Sequence, residues 1–270
     1  MSTPQEEAAL WWATAVSHIE PGSIELRDRP VQDLIGNASL VDVIWLLLRG
    51  TMPSARESAL LEAALVAGVD HGPQAPSIAA ARMAATCGVG LNNAIATGVN
   101  MLGDSHGGAG QQCVEMLDDI CGLHRNGQGW EDAALDVMTR WQSRSRYLPG
   151  FGHRFHPVDP RRDPLLGLVH QAVTDGIVGG DHLRAGLAVE EALRRRRAGA
   201  RPVPMNIDGA TAVIYAELGF SAPLARGLFV LSRSVGILAH AWEESQQGLR
   251  NKGPVPRNVL PARLPRATDA

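Results

Sequence analysis

The chain has 270 residues, of which 45% are apolar and 20% charged, and its net charge is −3 at neutral pH. This length allows one large domain or two modest ones, and the near-neutral charge gives no electrostatic reason to expect a nucleic-acid or membrane partner. The one basic run, Arg194 to Arg197, ends a predicted helix, where the helix dipole favours cations. We therefore expect no nucleic-acid and no membrane partner.

The N-terminal residues and the cysteines predict a cytoplasmic protein. Residues 1–9 are polar and acidic, without the basic and apolar regions of a signal peptide. The longest apolar stretch, Val43 to Leu48, is too short to span a bilayer. Cys87, Cys113 and Cys121 are odd in number and lack CxxC spacing, which favours buried thiols in a reducing compartment.

Helical periodicity dominates the chain, and β-branched residues never alternate over the length of a strand. Ser54-Ala-Arg-Glu57 is typical of a capping box at the start of a helix. Further helices are predicted at Glu6–Val16, Ser39–Leu48, Ser77–Thr86, Leu91–Leu102, Ala109–Leu123, Glu131–Ser143, Asp163–Thr174, His182–Arg196, Gly209–Leu218 and Ala222–Ala241. The fold class is therefore predicted to be all-α, and four prolines after Asn251 predict an extended C-terminal arm.

Three short segments each set a lone polar residue among glycines or between helices, where backbone and ligand can approach closely. They are Gly103–Gly110 around His106, Pro149–Arg161 around His153, and Met205–Ala210 around Asp208. Taken singly, each histidine also fits a helix cap, and Asp208 fits an N-cap. Their conjunction points to a catalytic site.

In order along the chain, these segments resemble the motifs of the citrate synthase superfamily, which are G-x-x-H-G-G-A, then G-F-G-H followed by D-P-R, and N-x-D at the start of a helix. Two further segments agree. Val69-Asp70-His71-Gly72 resembles the family's D-H segment, and residues 228–243, with Arg233, resemble its arginine-bearing helix. The resemblance covers the chain from about Ile24 to Lys252.

The resemblance implies carbon–carbon chemistry next to a CoA thioester. The weakly acidic α-proton requires a base, and the enolate oxygen requires a hydrogen-bond donor. By resemblance, Asp208 is the base, His106 donates to the thioester oxygen, and His153 moves the proton of the second substrate's oxygen. No permanently bound cofactor is implied, since the CoA thioester is a substrate, and no residues at metal-ligand spacing predict a metal site.

The resemblance also implies that His71, Arg161, Arg233 and, from a neighbouring subunit's C-terminal arm, Arg250 bind the carboxylates of a 2-oxo acid. Arginine suits this role because its planar fork pairs bidentately with a carboxylate. For Arg161 and Arg233 the alternative is a salt bridge at a helix end. If these two arginines face an open cleft, their truncation is expected to change the stability of the ligand-free protein little.

Three departures separate this chain from typical citrate synthases. A long stretch of helices before the D-H segment is missing, His106 follows Gly-Asp-Ser, and Asp208 is followed by Gly-Ala. These forms resemble citryl-CoA lyases. The predicted function is therefore cleavage of citryl-CoA, or a related 3-hydroxy-3-carboxyacyl-CoA, to acetyl-CoA and oxaloacetate. The alternatives are a citrate synthase or another enzyme that condenses an acyl-CoA with a 2-oxo acid, and a non-catalytic CoA- or carboxylate-binding subunit.

The resemblance implies a two-domain helical subunit with a shortened large domain. The large domain would comprise residues 1–107 and 213–270, and the small domain residues 108–212, with His106 and Asp208 at the two hinge crossings. A shortened large domain buries less apolar surface by itself, which favours burial against a second copy, so a homodimer is predicted. Trp11, Trp12, Leu46 and Leu47 fit either that contact or a core within the subunit.

Overall fold

The computed structural model describes residues 3–154, 156–196, 201–256 and 258–262, so Arg197 of the basic run lies outside the described residues. The predicted all-α class is confirmed. The helices are α1 (Pro4–Trp11), α2 (Val31–Leu34), α3 (Leu40–Arg49), α4 (Ala55–Gly68), α5 (Pro76–Thr86), α6 (Leu91–Asn100), α7 (Ala109–Arg125), α8 (Trp130–Gln142), α9 (Arg162–Thr174), α10 (Asp181–Arg196), α11 (Ile207–Glu217) and α12 (Ala222–Gln246). The first predicted helix was extended too far, since α1 ends at Trp11 rather than at Val16.

A small antiparallel sheet lies between α1 and α2, so the expectation of a chain without strands is wrong at this place. Its strands are β1 (Ser17–Glu20), β2 (Ser23–Leu26) and β3 (Arg29–Pro30), in the order β1-β2-β3. Gly22, at a φ of 83°, closes the first hairpin in a conformation that glycine adopts without strain. Strands of two to four residues are too short to show the alternation on which a strand prediction rests.

Capping boxes anchor the starts of α3 and α4, and the one at α4 confirms the prediction from the sequence. The Ser54 hydroxyl accepts from Glu57 N, and the Glu57 carboxylate accepts from Ser54 N. Ser39 and Asp42 make the same reciprocal pair at α3. Each cap satisfies two backbone donors that the first helical turn would otherwise leave open.

Buried apolar side chains form two clusters that α12 joins. The larger cluster includes Leu61 of α4 and Leu117 of α7, and the smaller one, between α5, α6 and α12, is centred on Ile78 and Ile237. Leu46 is fully buried within the chain, whereas Trp11 is 83% exposed. Leu46 therefore serves the core of the subunit. The division into two domains and the homodimer stay predictions.

By length and composition, α12 is apolar enough to cross a membrane. It packs against α4, α5, α6 and α7, and its Arg233 and Glu244 are buried. Glu244 accepts hydrogen bonds from Arg82 and Lys252, so charged groups lie inside the fold along this helix. These contacts are typical of the core helix of a folded domain. After α12, Asn251 N and Lys252 N donate to Thr86, which fixes the start of the non-helical C-terminal arm.

Candidate active site

In the first turn of α11, side chains other than Asp208 accept hydrogen bonds from the backbone N–H groups. Ile207 N donates to Asp159 Oδ2 at 3.1 Å, and Asp208 N and Gly209 N donate to Asn206 Oδ1 at 2.9 and 3.2 Å. Asn206 is thus the N-cap, and the alternative of Asp208 as the cap is wrong. Among the described residues, none donates a hydrogen bond to the Asp208 carboxylate.

Burial raises the pKa of Asp208 above its ordinary value. The positive charges of Arg233 and Arg161 act in the opposite direction, and the negative charge of Asp159 adds to the rise. A carboxylate that is desolvated and accepts no hydrogen bond holds a proton more tightly. The raised pKa makes Asp208 a stronger base than an exposed aspartate, as a group that exchanges a proton with carbon requires.

His106 is held as a neutral imidazole with one nitrogen free. Its Nε2 lies 3.2 Å from Ser77 N and 2.9 Å from Ser77 Oγ. Because a backbone N–H only donates, Nε2 accepts, and the ring proton is on Nδ1. Desolvation, and then the charge of Arg233, lower the pKa of His106. Nδ1 has no partner among the described residues and can donate to a ligand.

The loop that carries His153 is joined to the segment before α11. Gly152 N donates to Pro204 O at 2.7 Å, and Asn206 N donates to Gly150 O at 2.9 Å. The Asn206 side-chain amide also donates to Gly152 O at 2.6 Å. These bonds place the two predicted catalytic segments side by side, although they are distant in the sequence.

At position 150 the loop needs a residue without a side chain. The φ of Gly150 is 81°, and a Cβ at this position would lie 2.6 Å from Cys113 Sγ and 2.8 Å from Gly209 Cα. Any side chain would force the loop away from α7 and α11. Glycine at position 150 therefore permits the close approach of the His153 loop to the start of α11.

His153 and His71 lie close together, with ring centroids 5.6 Å apart. His153 Nδ1 accepts from His156 N at 3.0 Å, so the neutral ring carries its proton on Nε2. Desolvation is the main cause that lowers the pKa of both His71 and His153, and the charge of Arg161 adds to it. Both rings are therefore neutral at pH 7.

Arg161 is held mainly by the protein itself. Its Nε and Nη2 donate to the two oxygens of Asp159, each at 2.9 Å, and Nη1 donates to Ala67 O at 3.4 Å. Asp159 is only 1% exposed. Its hydrogen bonds with Arg161 and Ile207 N outweigh desolvation and lower its pKa to about 2. One edge of the Arg161 guanidinium therefore forms the salt bridge of the alternative interpretation. Binding of a substrate carboxylate by Arg161 stays a prediction.

Arg233 is better placed than Arg161 to receive a carboxylate. The residue is 4% exposed, its Nε donates to Gly68 O at 3.0 Å, and its guanidinium lies 4.8 Å from the centre of the Phe229 ring. Its terminal nitrogens have no hydrogen-bond partner among the described residues, and its charge acts on both Asp208 and His106. Burial lowers the pKa of Arg233.

Arg250 is not brought into this cluster within one chain. It lies in the exposed segment after α12 and lines a pocket with residues 85–88 rather than the cavity beside His153. Its predicted action on a neighbouring subunit stays a prediction.

Three residues that position the site were given no role from the sequence: Ser77, Asp159 of the D-P-R motif and Asn206 of the N-x-D motif. Asn206 had a usable signal, because asparagine is a preferred N-cap and precedes a helical run. Ser77 had none, since it lies 29 residues from His106.

The pairing of Arg161 and Asp159 corrects the expectation that truncating Arg161 changes the stability of the ligand-free protein little. Arg161→Ala is expected to lower the free energy of unfolding by about 2 kcal/mol, because Asp159 would stay buried without its partner. The loss is smaller than for a fully buried pair, since the Arg161 side chain is 23% exposed.

Urea unfolding at pH 7 measures this loss, and Arg195→Ala, which removes an exposed arginine, is the control that should change little. The stabilisation from the lowered pKa of Asp159 is fully present above its ordinary pKa of 3.8 and is lost as the pH falls through about 2. An Arg161→Ala protein as stable as wild type would contradict a bracing role for this pair.

The geometry agrees with comparisons to known proteins. The family model described as citrate synthase, C-terminal domain, matches residues 52–252. A citrate synthase from Acidithiobacillus ferridurans is 30% identical over 203 residues, which are 73% of this chain and 49% of that protein. The chain spans about half the length of the curated relatives it matches.

Solved structures agree on the fold. The citryl-CoA lyase from Hydrogenobacter thermophilus superposes with a TM-score of 0.81 at 30% identity, over 94% of this chain and 95% of that one. The ATP citrate lyase from Methanothrix soehngenii, solved in complex with citrate and coenzyme A, shares the fold at a TM-score of 0.79 and 18% identity, over 98% of this chain and 45% of that one. The predicted citrate synthase-like fold is confirmed, and this chain belongs to the citrate synthase family.

Proposed function

We propose that this chain cleaves citryl-CoA, or a closely related 3-hydroxy-3-carboxyacyl-CoA, to acetyl-CoA and oxaloacetate through an enolate. The observation that carries the proposal is the placement of two groups near Arg233: the Asp208 carboxyl, which accepts no hydrogen bond from the described residues, and the available Nδ1–H of His106. One group exchanges a proton with carbon and the other stabilises an oxyanion, and enolate chemistry requires both in one site. A binding subunit would need neither.

In cleavage, His153 Nε2 takes the hydroxyl proton of the substrate and the carbon–carbon bond breaks. Its electron pair moves to the α-carbon and onto the thioester oxygen, while the hydroxyl-bearing carbon becomes the keto carbon of oxaloacetate. The Nδ1–H of His106 stabilises the enolate oxygen. Protonated Asp208, which its raised pKa favours, delivers a proton to the α-carbon and completes acetyl-CoA. No water is consumed.

A cavity of about 550 Å³ beside His153 supports a CoA substrate. Arg146, Arg154 and Arg201 line it, together with apolar side chains such as Phe151. No acidic residue lines the cavity, and none of the three arginines has an acidic partner among the described residues. Unpaired guanidinium groups favour the phosphates of CoA, and the apolar wall favours its hydrocarbon arm.

Condensation of an acyl-CoA with a 2-oxo acid is the second candidate, and the state of His153 favours it. Its Nδ1 accepts from His156 N, so its proton is on Nε2, which is the tautomer that protonation of a keto oxygen through Nε2 requires. Cleavage requires Nε2 to accept the hydroxyl proton instead, which needs the other tautomer and release of the His156 contact. A third candidate, the non-catalytic subunit, has no such observation in its favour.

The test supplies citryl-CoA to the enzyme. Malate dehydrogenase reduces the oxaloacetate that is formed, and the resulting oxidation of NADH is measured as a loss of absorbance. We expect NADH oxidation that depends on the enzyme and is about two to four orders of magnitude slower in Asp208→Asn. No oxidation at high enzyme concentration would overturn the lyase proposal. The second candidate is tested with acetyl-CoA and oxaloacetate, in which citryl-CoA detected by mass, or released free thiol, marks condensation.

The arginines of the cavity give a separate prediction. Arg154→Ala is expected to raise KM for the CoA thioester by about 2- to 5-fold with little change in kcat, since an exposed charge pair contributes up to about 1 kcal/mol. The effect should shrink at high salt because the pair is screened. The control is Arg144→Ala, which removes an exposed arginine that does not line the cavity. An equal rise in both variants would contradict CoA binding in this cavity.

A further inference from the structure

One side chain, Asn206, bonds to both catalytic segments of the site. Its Oδ1 accepts from Asp208 N and Gly209 N, at 2.9 and 3.2 Å, and its Nδ2 donates to Gly152 O at 2.6 Å. Gly152 is the residue directly before His153. We propose that Asn206 is a positioning residue that keeps the Asp208 carboxylate free of backbone hydrogen bonds and fixes it relative to His153. The proposal rests on the proposed function, in which Asp208 and His153 exchange protons with the substrate.

The first half of the proposal concerns competition for the N–H groups of the helix. The start of a helix has open N–H donors and a positive dipole end, and a nearby carboxylate that accepts from them becomes a weaker base. Asp208 lies within this first turn. Because Asn206 and Asp159 already fill the three donors there, Asp208 is left as a proton carrier rather than a cap.

The second half depends on the chemistry of an amide. Only asparagine or glutamine presents both a carbonyl acceptor and an NH₂ donor on separate atoms of one side chain. A serine or aspartate at this position would still cap α11, but it would lack a separate NH₂ donor for Gly152 O. Two backbone hydrogen bonds, Gly152 N to Pro204 O and Asn206 N to Gly150 O, cross the same place and form the antiparallel pairing of Phe151 with Met205. Since these are backbone contacts, variants at position 206 are expected to fold.

Other groups also act on Asp208 and must stay constant in a test. Arg233 of α12 and Arg161 favour its charged form, and Asp159 disfavours it. Cys113 of α7 and Tyr215 of α11 also lie near it, and burial, together with the charge of Asp208, raises the pKa of both, so they stay neutral near pH 7. Variants of Asn206 leave all five groups in place.

Two variants separate the roles by shifting the pKa of Asp208 in opposite directions. Asn206→Asp keeps an acceptor for the two N–H groups but adds a negative charge. In cleavage the protonated form of Asp208 is required, so Asp208 sets the alkaline limb of the kcat profile, and this limb is expected to move up by about one pH unit. Asn206→Ala opens both N–H groups to the carboxylate, so the limb is expected to move down by about one pH unit. In both variants kcat should fall about 10- to 100-fold with KM little changed, because the bond to Gly152 O is lost.

The control is Ser54→Ala, which removes the cap of α4 away from the site and should lower stability without moving the limb. A titration of ¹³C-labelled aspartate carboxyls by NMR reads the Asp208 pKa without any turnover, with its resonance assigned by its loss in Asp208→Asn. Opposite shifts of that resonance in the two variants support the proposal. Unmoved resonances, or shifts in the same direction, overturn it. If the resonances shift as expected but wild type turns over no CoA thioester, the positioning stands and the proposed function fails.

Discussion

Asp208→Asn is expected to lower turnover by about two to four orders of magnitude, the usual scale for loss of a general acid or base. KM should change little, since asparagine keeps the shape of the side chain. The structure sharpens this expectation because Asp208 caps no backbone donor, so the substitution removes no helix cap. Its effect therefore reports proton transfer rather than the integrity of α11. The measurement is the malate dehydrogenase-coupled assay across a range of pH.

Stability provides the internal check on this variant. The folded-state pKa of Asp208 is raised, which means that folding disfavours its charged form at neutral pH. Replacing it with a neutral amide is expected to leave the free energy of unfolding unchanged or slightly higher. Asp181→Asn, which alters an aspartate in the first turn of α10, is the matched control and should retain full turnover. Near-normal turnover in Asp208→Asn would rule out its assignment as the proton carrier.

His106→Ala is expected to lower kcat by about two orders of magnitude, or on the order of 3 kcal/mol of transition-state stabilisation, as for the loss of an oxyanion donor. The Nδ1–H of His106 is set by Ser77, whose backbone N–H occupies Nε2. The enolate carries more charge on oxygen than the thioester does, so the loss is expected in kcat rather than in KM. Steady-state kinetics with the CoA thioester separate the effect on kcat from the effect on KM.

Ser77→Ala is the control for His106. It removes the hydroxyl 2.9 Å from Nε2 but leaves the backbone N–H that sets the tautomer, so turnover should fall far less than in His106→Ala. If His106→Ala raises KM and leaves kcat intact, His106 binds the substrate without stabilising the enolate.

Short motifs were enough to find the residues of the candidate site, because glycine-rich loops and the N-x-D turn are local features. The structure brings His106, His153 and Asp208 into the region of Arg233 and Asn206, as their order in the family motifs implies. What the motifs could not predict was how each group is bonded. Arg161 has the residue type of a carboxylate binder, yet its guanidinium edge is filled by Asp159, two residues away.

Composition and helical periodicity by themselves determined that this chain is all-α and where most of its helices lie, since the burial of one helix face is written in the sequence at a fixed spacing. They missed the sheet at residues 17–30, whose strands are too short to show a period. Only the tertiary structure decided the protonation and availability of the site's groups. The tautomer of His106 depends on Ser77, and the first three N–H groups of α11 are bound by Asp159 and Asn206 rather than by Asp208. The direction of a hydrogen bond follows from the positions of two atoms in space, and for His106 and Ser77 these atoms belong to segments that only the folding of the chain brings together.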